Sequence, residues 1–182
     1  MKELLNEQQQ KTLIKLARDT ISLYVKNGQR ITFNSTEQEL QAKCGAFVTL
    51  KIDGDLRGCI GFITSPRPLY ETIIDVAIAA ATEDPRFPPL QKNELDIINI
   101  EISVLSPLRK IEDIKEIEVG NHGLIISKGF HRGLLLPQVA TENNWDKTTF
   151  LRHTCLKAGL PTNAWQEDAN IEIFSAQIFG EK

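Results

Sequence analysis

The residue best suited to covalent chemistry is Cys59, which has Gly58 before it and Gly61 two positions after it in the hexapeptide LRGCIG, Leu56 to Gly61. A free thiol ionises at about pH 8.5, and a nearby cation lowers that value and makes a better nucleophile. Arg57 stands two positions away. On an extended strand its side chain and the thiol emerge on one face, leaving Leu56, Ile60 and Phe62 on the other. Glycine weakens strands. Gly58 and Gly61 therefore have two readings: a small footprint that admits a substrate and frees backbone N–H groups, or a site of tight packing.

A cysteine nucleophile needs a base. The histidines are His122, His131 and His153. His131 falls in an expected hairpin turn beside Arg132, a position from which a side chain can reach across a cleft. His122 precedes Gly123 in a turn, and His153 lies outside the apolar stripe of its helix and reads as solvated. Glu142 follows Gln138 by four residues, so the two share a face if VATE is helical; the plainer reading is a solvated helix surface. In DPRFPPL, Asp84 and Arg86 flank Pro85. Arg86 there either grips a ligand's anionic or planar group, or forms an internal ion pair while Asp84 caps or turns the chain. Gathered together, Arg57, Arg86 and Arg132 would form a positive pocket suited to phosphate or carboxylate; apart, they are three ordinary arginines. Trp145 and Trp165 read as core plugs, and Cys44 and Cys155 as structural.

The elements that must position these residues follow from periodicity. Leu13, Leu16, Ala17, Thr20, Ile21 and Tyr24 form one helical stripe, with Asn6 and Gln9 as a capping box and Gly28 as the stop. AFVTLKI and LRGCIGF flank Asp53-Gly54, a strong hairpin turn. Ser65, Pro66 and Pro68 open a second helix whose buried stripe is Ile73, Ile74, Ala77, Ile78 and Ala81. Its alanines allow a close approach to a sheet. Three prolines then stiffen DPRFPPL. IINIEISVL alternates as a half-buried strand, with Ile98, Ile100, Ile102 and Val104 inward. A second hairpin is expected over Gly123 to Val139 around Gly129, then a helix capped by Asp146 and closed by Gly159 and Pro161, and a final strand in ANIEIFSAQIF. Hairpins mixed with isolated helices predict an α+β fold rather than a doubly wound sheet.

The 182 residues carry 41% hydrophobic and 25% charged side chains and a net charge of −3. That is the composition of an ordinary globular protein, and it argues against a broad nucleic-acid surface, which needs clustered Lys and Arg. The longest apolar runs are too short for a membrane span. The N-terminus lacks an apolar signal core, and the three cysteines hold no C-x-x-C pair. A cytoplasmic protein with reduced thiols and no metal or cofactor is expected; nucleotide-binding glycine fingerprints are absent.

Taken together, LRGCIG, DPRFPPL and RGLLLPQV-x-x-E-x-x-W resemble the AMMECR domain family, over Leu13 to Phe179. The resemblance implies one domain of two unequal subdomains, each an antiparallel sheet with helices, the hexapeptide lying on the second strand of the larger. Mapped here, the larger part spans about 1–105 plus 164–182 and the smaller about 106–163. The resemblance also implies genomic company with a Memo-like protein and a radical S-adenosylmethionine protein. Three functions are consistent with these readings. One is a cleft between the subdomains, lined by LRGCIG and DPRFPPL, in which Cys59 serves an enzyme or a small-ligand binder. The second is a non-enzymatic adaptor presenting the LRGCIG surface to a protein. The third, weakest by charge, is a nucleic-acid-associated factor.

Overall fold

The structure is a computed structural model and describes residues 4–181. The protein is α+β, with antiparallel strand pairings. It divides into two compact units: one holds the chain up to Leu105 and again from Gln177, and the other is Ser106–Ala176.

In the first unit, helix α1 (Glu7–Asn27) starts on a capping box, with the Asn6 side chain accepting from the Gln9 N–H and the Gln9 side chain from the Asn6 N–H. It ends at Gly28, whose φ of 69° is the left-handed cap. Strands β1 (Ala46–Ile52) and β2 (Asp55–Phe62) form the expected hairpin. Asp53 and Gly54 both have positive φ, the turn geometry that matches strand twist. Strand β3 (Asn99–Leu105) pairs with β1 on the side away from β2. The sheet order is thus β2-β1-β3, continued by the end of the last strand, β7 (Asn170–Gly180). Helix α2 (Leu69–Thr82) buries Ile73, Ala77 and Ala80 in one core with Leu13 and Ile21 of α1 and Val48, Leu50, Ile100 and Ile102 of the sheet.

The hairpin register explains one of the two glycines. A regular ladder from the Asp53-Gly54 turn would set Arg57 opposite Leu50, which is fully buried. Instead the register shifts between Leu50 and Lys51: Lys51 pairs with Leu56, Leu50 with Gly58 and Thr49 with Cys59. Arg57 is the extra residue of a β-bulge. Gly58 thereby takes the core position, where a Cβ would lie 2.2 Å from the Ala80 carbonyl oxygen of α2.

In the second unit β7 lies between β4 (Arg109–Ile111) and β5 (His122–Lys128), and β6 (His131–Leu135) pairs with β5 across the Gly129-Phe130 turn. Short helix α3 (Pro137–Glu142) and helix α4 (Lys147–Lys157) follow, the latter capped by Asp146 accepting from the Thr149 N–H. Leu124, Ile126, Phe150, Leu151, Cys155, Ile171 and Ile173 make a core of their own. Residues 164–176, expected with the larger part, cluster here instead, because β7 pairs with β4 and β5 from Asn170 to Ser175. Among the described residues, no helix is long and apolar enough to cross a membrane.

Candidate functional site

Cys59 lies on β2, the outer strand of its sheet. It is partly exposed, and three groups fix it. Its N–H donates to Asp84 Oδ2 at 2.8 Å. Its carbonyl oxygen accepts from Arg86 Nη2 at 3.4 Å. Its sulfur accepts from the Thr49 hydroxyl of β1 at 3.2 Å. Asp84 and Arg86 thus satisfy the outward donor and acceptor of an edge strand, as a neighbouring strand would. They are bound to each other by a two-pronged ion pair, Arg86 Nε to Oδ1 at 2.9 Å and Nη2 to Oδ2 at 2.7 Å. The Arg86 N–H also donates to Asp84 Oδ1 at 3.1 Å.

The electrostatics follow from that geometry. Asp84 is 4% exposed. The Arg86 guanidinium, helped by the Cys59 and Arg86 N–H groups and opposed by burial, holds its carboxyl well below the usual range. Arg86 is raised in turn, first by Asp84, with a smaller contribution from Cys59. Burial pushes the Cys44 thiol up to about 11 and raises Cys155 too.

Arg57 is committed elsewhere. Its Nε and Nη2 bind the two carboxylate oxygens of Glu94 at 2.7 and 3.0 Å, and Nη1 donates to the Pro88 carbonyl at 3.0 Å. The simple alternation that put Leu56 opposite Cys59 is corrected by the bulge. Leu56 pairs with Lys51, on the strand side of Thr49, whereas Gly58, Ile60 and Phe62 pair with Leu50, Val48 and Ala46. Gly61 is explained by packing, as a Cβ there would sit 2.3 Å from the Phe47 ring.

The Cys59 face continues across the sheet. Thr49 pairs with Cys59 on one side and Glu101 on the other, and Glu101 binds Lys51 at 3.0 Å. A Cβ on Gly180 would lie 3.6 Å from the Glu101 Cβ, so β7 ends the row. Sequence reasoning missed Thr49, Glu94 and Glu101. The Asp53-Gly54 turn was a signal for Thr49, but an unbulged register would have pointed to Gly58 as its partner.

The remaining candidates belong to the second unit. Arg132 lies 3.7 Å from Glu172. His131 is exposed, its Nδ1 3.3 Å from the Ala158 carbonyl oxygen. Gln138 and Glu142 both lie on α3; Glu142 is exposed, and Gln138 Oε1 is buried without a partner among the described residues. His153 is not simply solvated: it stacks on Trp145 with ring centres 4.0 Å apart. All three histidines fall in this unit, so the unit bearing Cys59 supplies it no imidazole base. Among the described residues no group of three or more His, Cys, Asp or Glu side chains could hold a metal ion.

Comparison with known proteins agrees with the architecture. A family model described as AMMECR1 matches residues 14–179. Protein MK0488 of Methanopyrus kandleri is 45% identical, covering 100% of this chain and 93% of its own length. A protein of Thermococcus onnurineus is 50% identical, covering 93% of this chain and 89% of its own. The crystal structure of uncharacterized protein PH0010 from Pyrococcus horikoshii superposes with a TM-score of 0.91 at 42% identity, covering 99% of this chain and 95% of that one. With a family model matching residues 14–179, relatives 45–50% identical along most of their length and a matching fold, the chain belongs to the AMMECR1 family.

Proposed function

We propose that the LRGCIG strand is a recognition surface for a protein partner, and that the molecule works as an adaptor. The observation that supports this is the exposure of Leu56 (40%) on the face of β2 that also carries Cys59; Phe62 (48%) is exposed too, but it pairs with Ala46 and lies on the opposite face. Beside them the charged groups are already neutralised, Arg57 by Glu94 and Arg86 by Asp84. An apolar strand with satisfied charges offers area without unpaired ions to desolvate. The partners to try first are a Memo-like protein and a radical S-adenosylmethionine protein from the same genome. In titration calorimetry, Leu56→Asp should weaken binding by about tenfold or more, while Cys59→Ser, and Phe62→Asp on the opposite face, leave it unchanged. Full binding by Leu56→Asp would sink the adaptor reading.

A second reading keeps covalent chemistry at Cys59, supported by the three contacts that fix it. Under this reading iodoacetamide at pH 7 alkylates Cys59 before Cys44 or Cys155, followed by peptide mass spectrometry. Arg57→Ala should barely change the rate, because that guanidinium is held by Glu94. Equal rates at all three cysteines would remove the case for a reagent.

A further inference from the structure

The sheet of the first unit has two outer edges, and they are treated differently. The β2 edge is closed at Cys59 by the Asp84 and Arg86 side chains. The other edge is the end of β7, where pairing with β5 stops at Ser175. The Glu181 N–H donates to the Ile100 carbonyl of β3 at 3.0 Å. Backbone groups alternate sides along a strand, so those of Ile178 and Gly180 point outward, away from β3. The β5 and β4 ladders along β7 end before them, at Ser175 and Ile173. Ile178 is 42% exposed, and Gly180 has no side chain to cover the edge.

A pocket of about 630 Å³ lies against this edge. One wall is a stripe of α1 that includes Lys11, Ile14 and Lys15, and the other is Phe179 and Gly180. Ile14 and Phe179 are partly buried on the helix-side core and form its apolar floor. Lys11 has no ion-pair partner among the described residues, whereas Lys15 pairs with Asp19. From Glu7 to Arg18, both of which line the pocket, α1 runs about 16 Å, the length of about five extended residues.

We propose that this edge accepts an extended peptide of a partner protein as one more strand. The outward N–H and C=O groups of Ile178 and Gly180 supply main-chain hydrogen bonds. Alternate side chains of the added strand fall on the helix side, apolar ones over Ile14 and Phe179 and an acidic one toward Lys11. Main-chain pairing gives affinity and the pocket gives selectivity. The proposal is independent of the Cys59 surface.

The probe is a fluorescein-labelled, C-amidated peptide, Thr-Val-Thr-Val-Thr-Glu, read by anisotropy and by amide hydrogen exchange of the full chain. Saturable binding below about 1 mM is expected, with slowed exchange at Ile178 and Gly180. Gly180→Pro removes an N–H that β3 does not use and should cost about tenfold or more in affinity, with the melting temperature showing that the fold survives. Ile14→Asp should do the same from the helix side, and Lys11→Glu should weaken this peptide but not its Gln-ended counterpart. No saturation up to about 1 mM, or binding indifferent to both Gly180→Pro and Ile14→Asp, overturns the proposal. So does self-association in sedimentation that Gly180→Pro abolishes, which would assign the edge to a second copy of the chain.

Discussion

At the scale of single residues, burial decides more than chemical type. Thr20 sits on the buried face of α1, fully enclosed, and its hydroxyl has no hydrogen-bond partner among the described residues. A buried hydroxyl without a partner is costly, and an apolar group of the same shape removes that cost. Thr20→Val should therefore raise stability by about 1 kcal/mol, measured by urea denaturation; a loss of that size would mean the hydroxyl is satisfied after all. The sequence placed Thr20 in the helix stripe but gave no sign that its oxygen would be stranded. For Arg57 the sequence left out the partner that decides its role: Glu94, which claims the guanidinium, lies 37 residues further along the chain.

At the scale of elements, LRGCIG is defined by the bulge. The Asp53-Gly54 turn and the two alternating runs made the hairpin legible. The register shift was not, because its cause is tertiary: α2 approaches so closely that only glycine fits opposite Leu50. Gly58→Ala should accordingly destabilise the protein by about 3 kcal/mol, the upper end for overfilling a packed site, because the obstructing atom is a backbone carbonyl. Gly54 faces open space, and alanine there tests only its turn conformation. Equal midpoints in denaturant for wild type and Gly58→Ala would refute the packing account. The helix caps Asn6, Gly28 and Asp146, by contrast, could be read directly from residue type, since caps depend on neighbours in sequence.

For the whole molecule, ionisation sets a pH window. Asp84 and Glu94 have folded pKa values below their ordinary 3.8 and 4.5. Each therefore contributes stability that is present above those values and lost as pH falls below them. Cys44 is raised from 9.0 to about 11, so its contribution is present below pH 9.0 and lost as pH rises through that interval. The thermal midpoint should be flat between these limits and fall on both sides. Asp84→Asn should lower the plateau and shallow the acid limb, and Cys44→Ala should shallow the alkaline one. Unchanged limbs in the two variants would show that other groups govern them.

The division into units also constrains the order in which the protein can be made. Ser106–Ala176 is one continuous stretch, whereas the unit before it is finished only by residues from Gln177 onward. During synthesis the ribosome releases every residue of the second unit before the first can be completed. Throughout that interval β3 has β1 on one side and nothing on the other. The nascent protein thus exposes an unpaired strand for as long as translation of the intervening residues takes, at about 5–20 residues per second a matter of seconds. The last strand is therefore a timed closure: the first unit becomes a finished sheet only after the second has had time to fold.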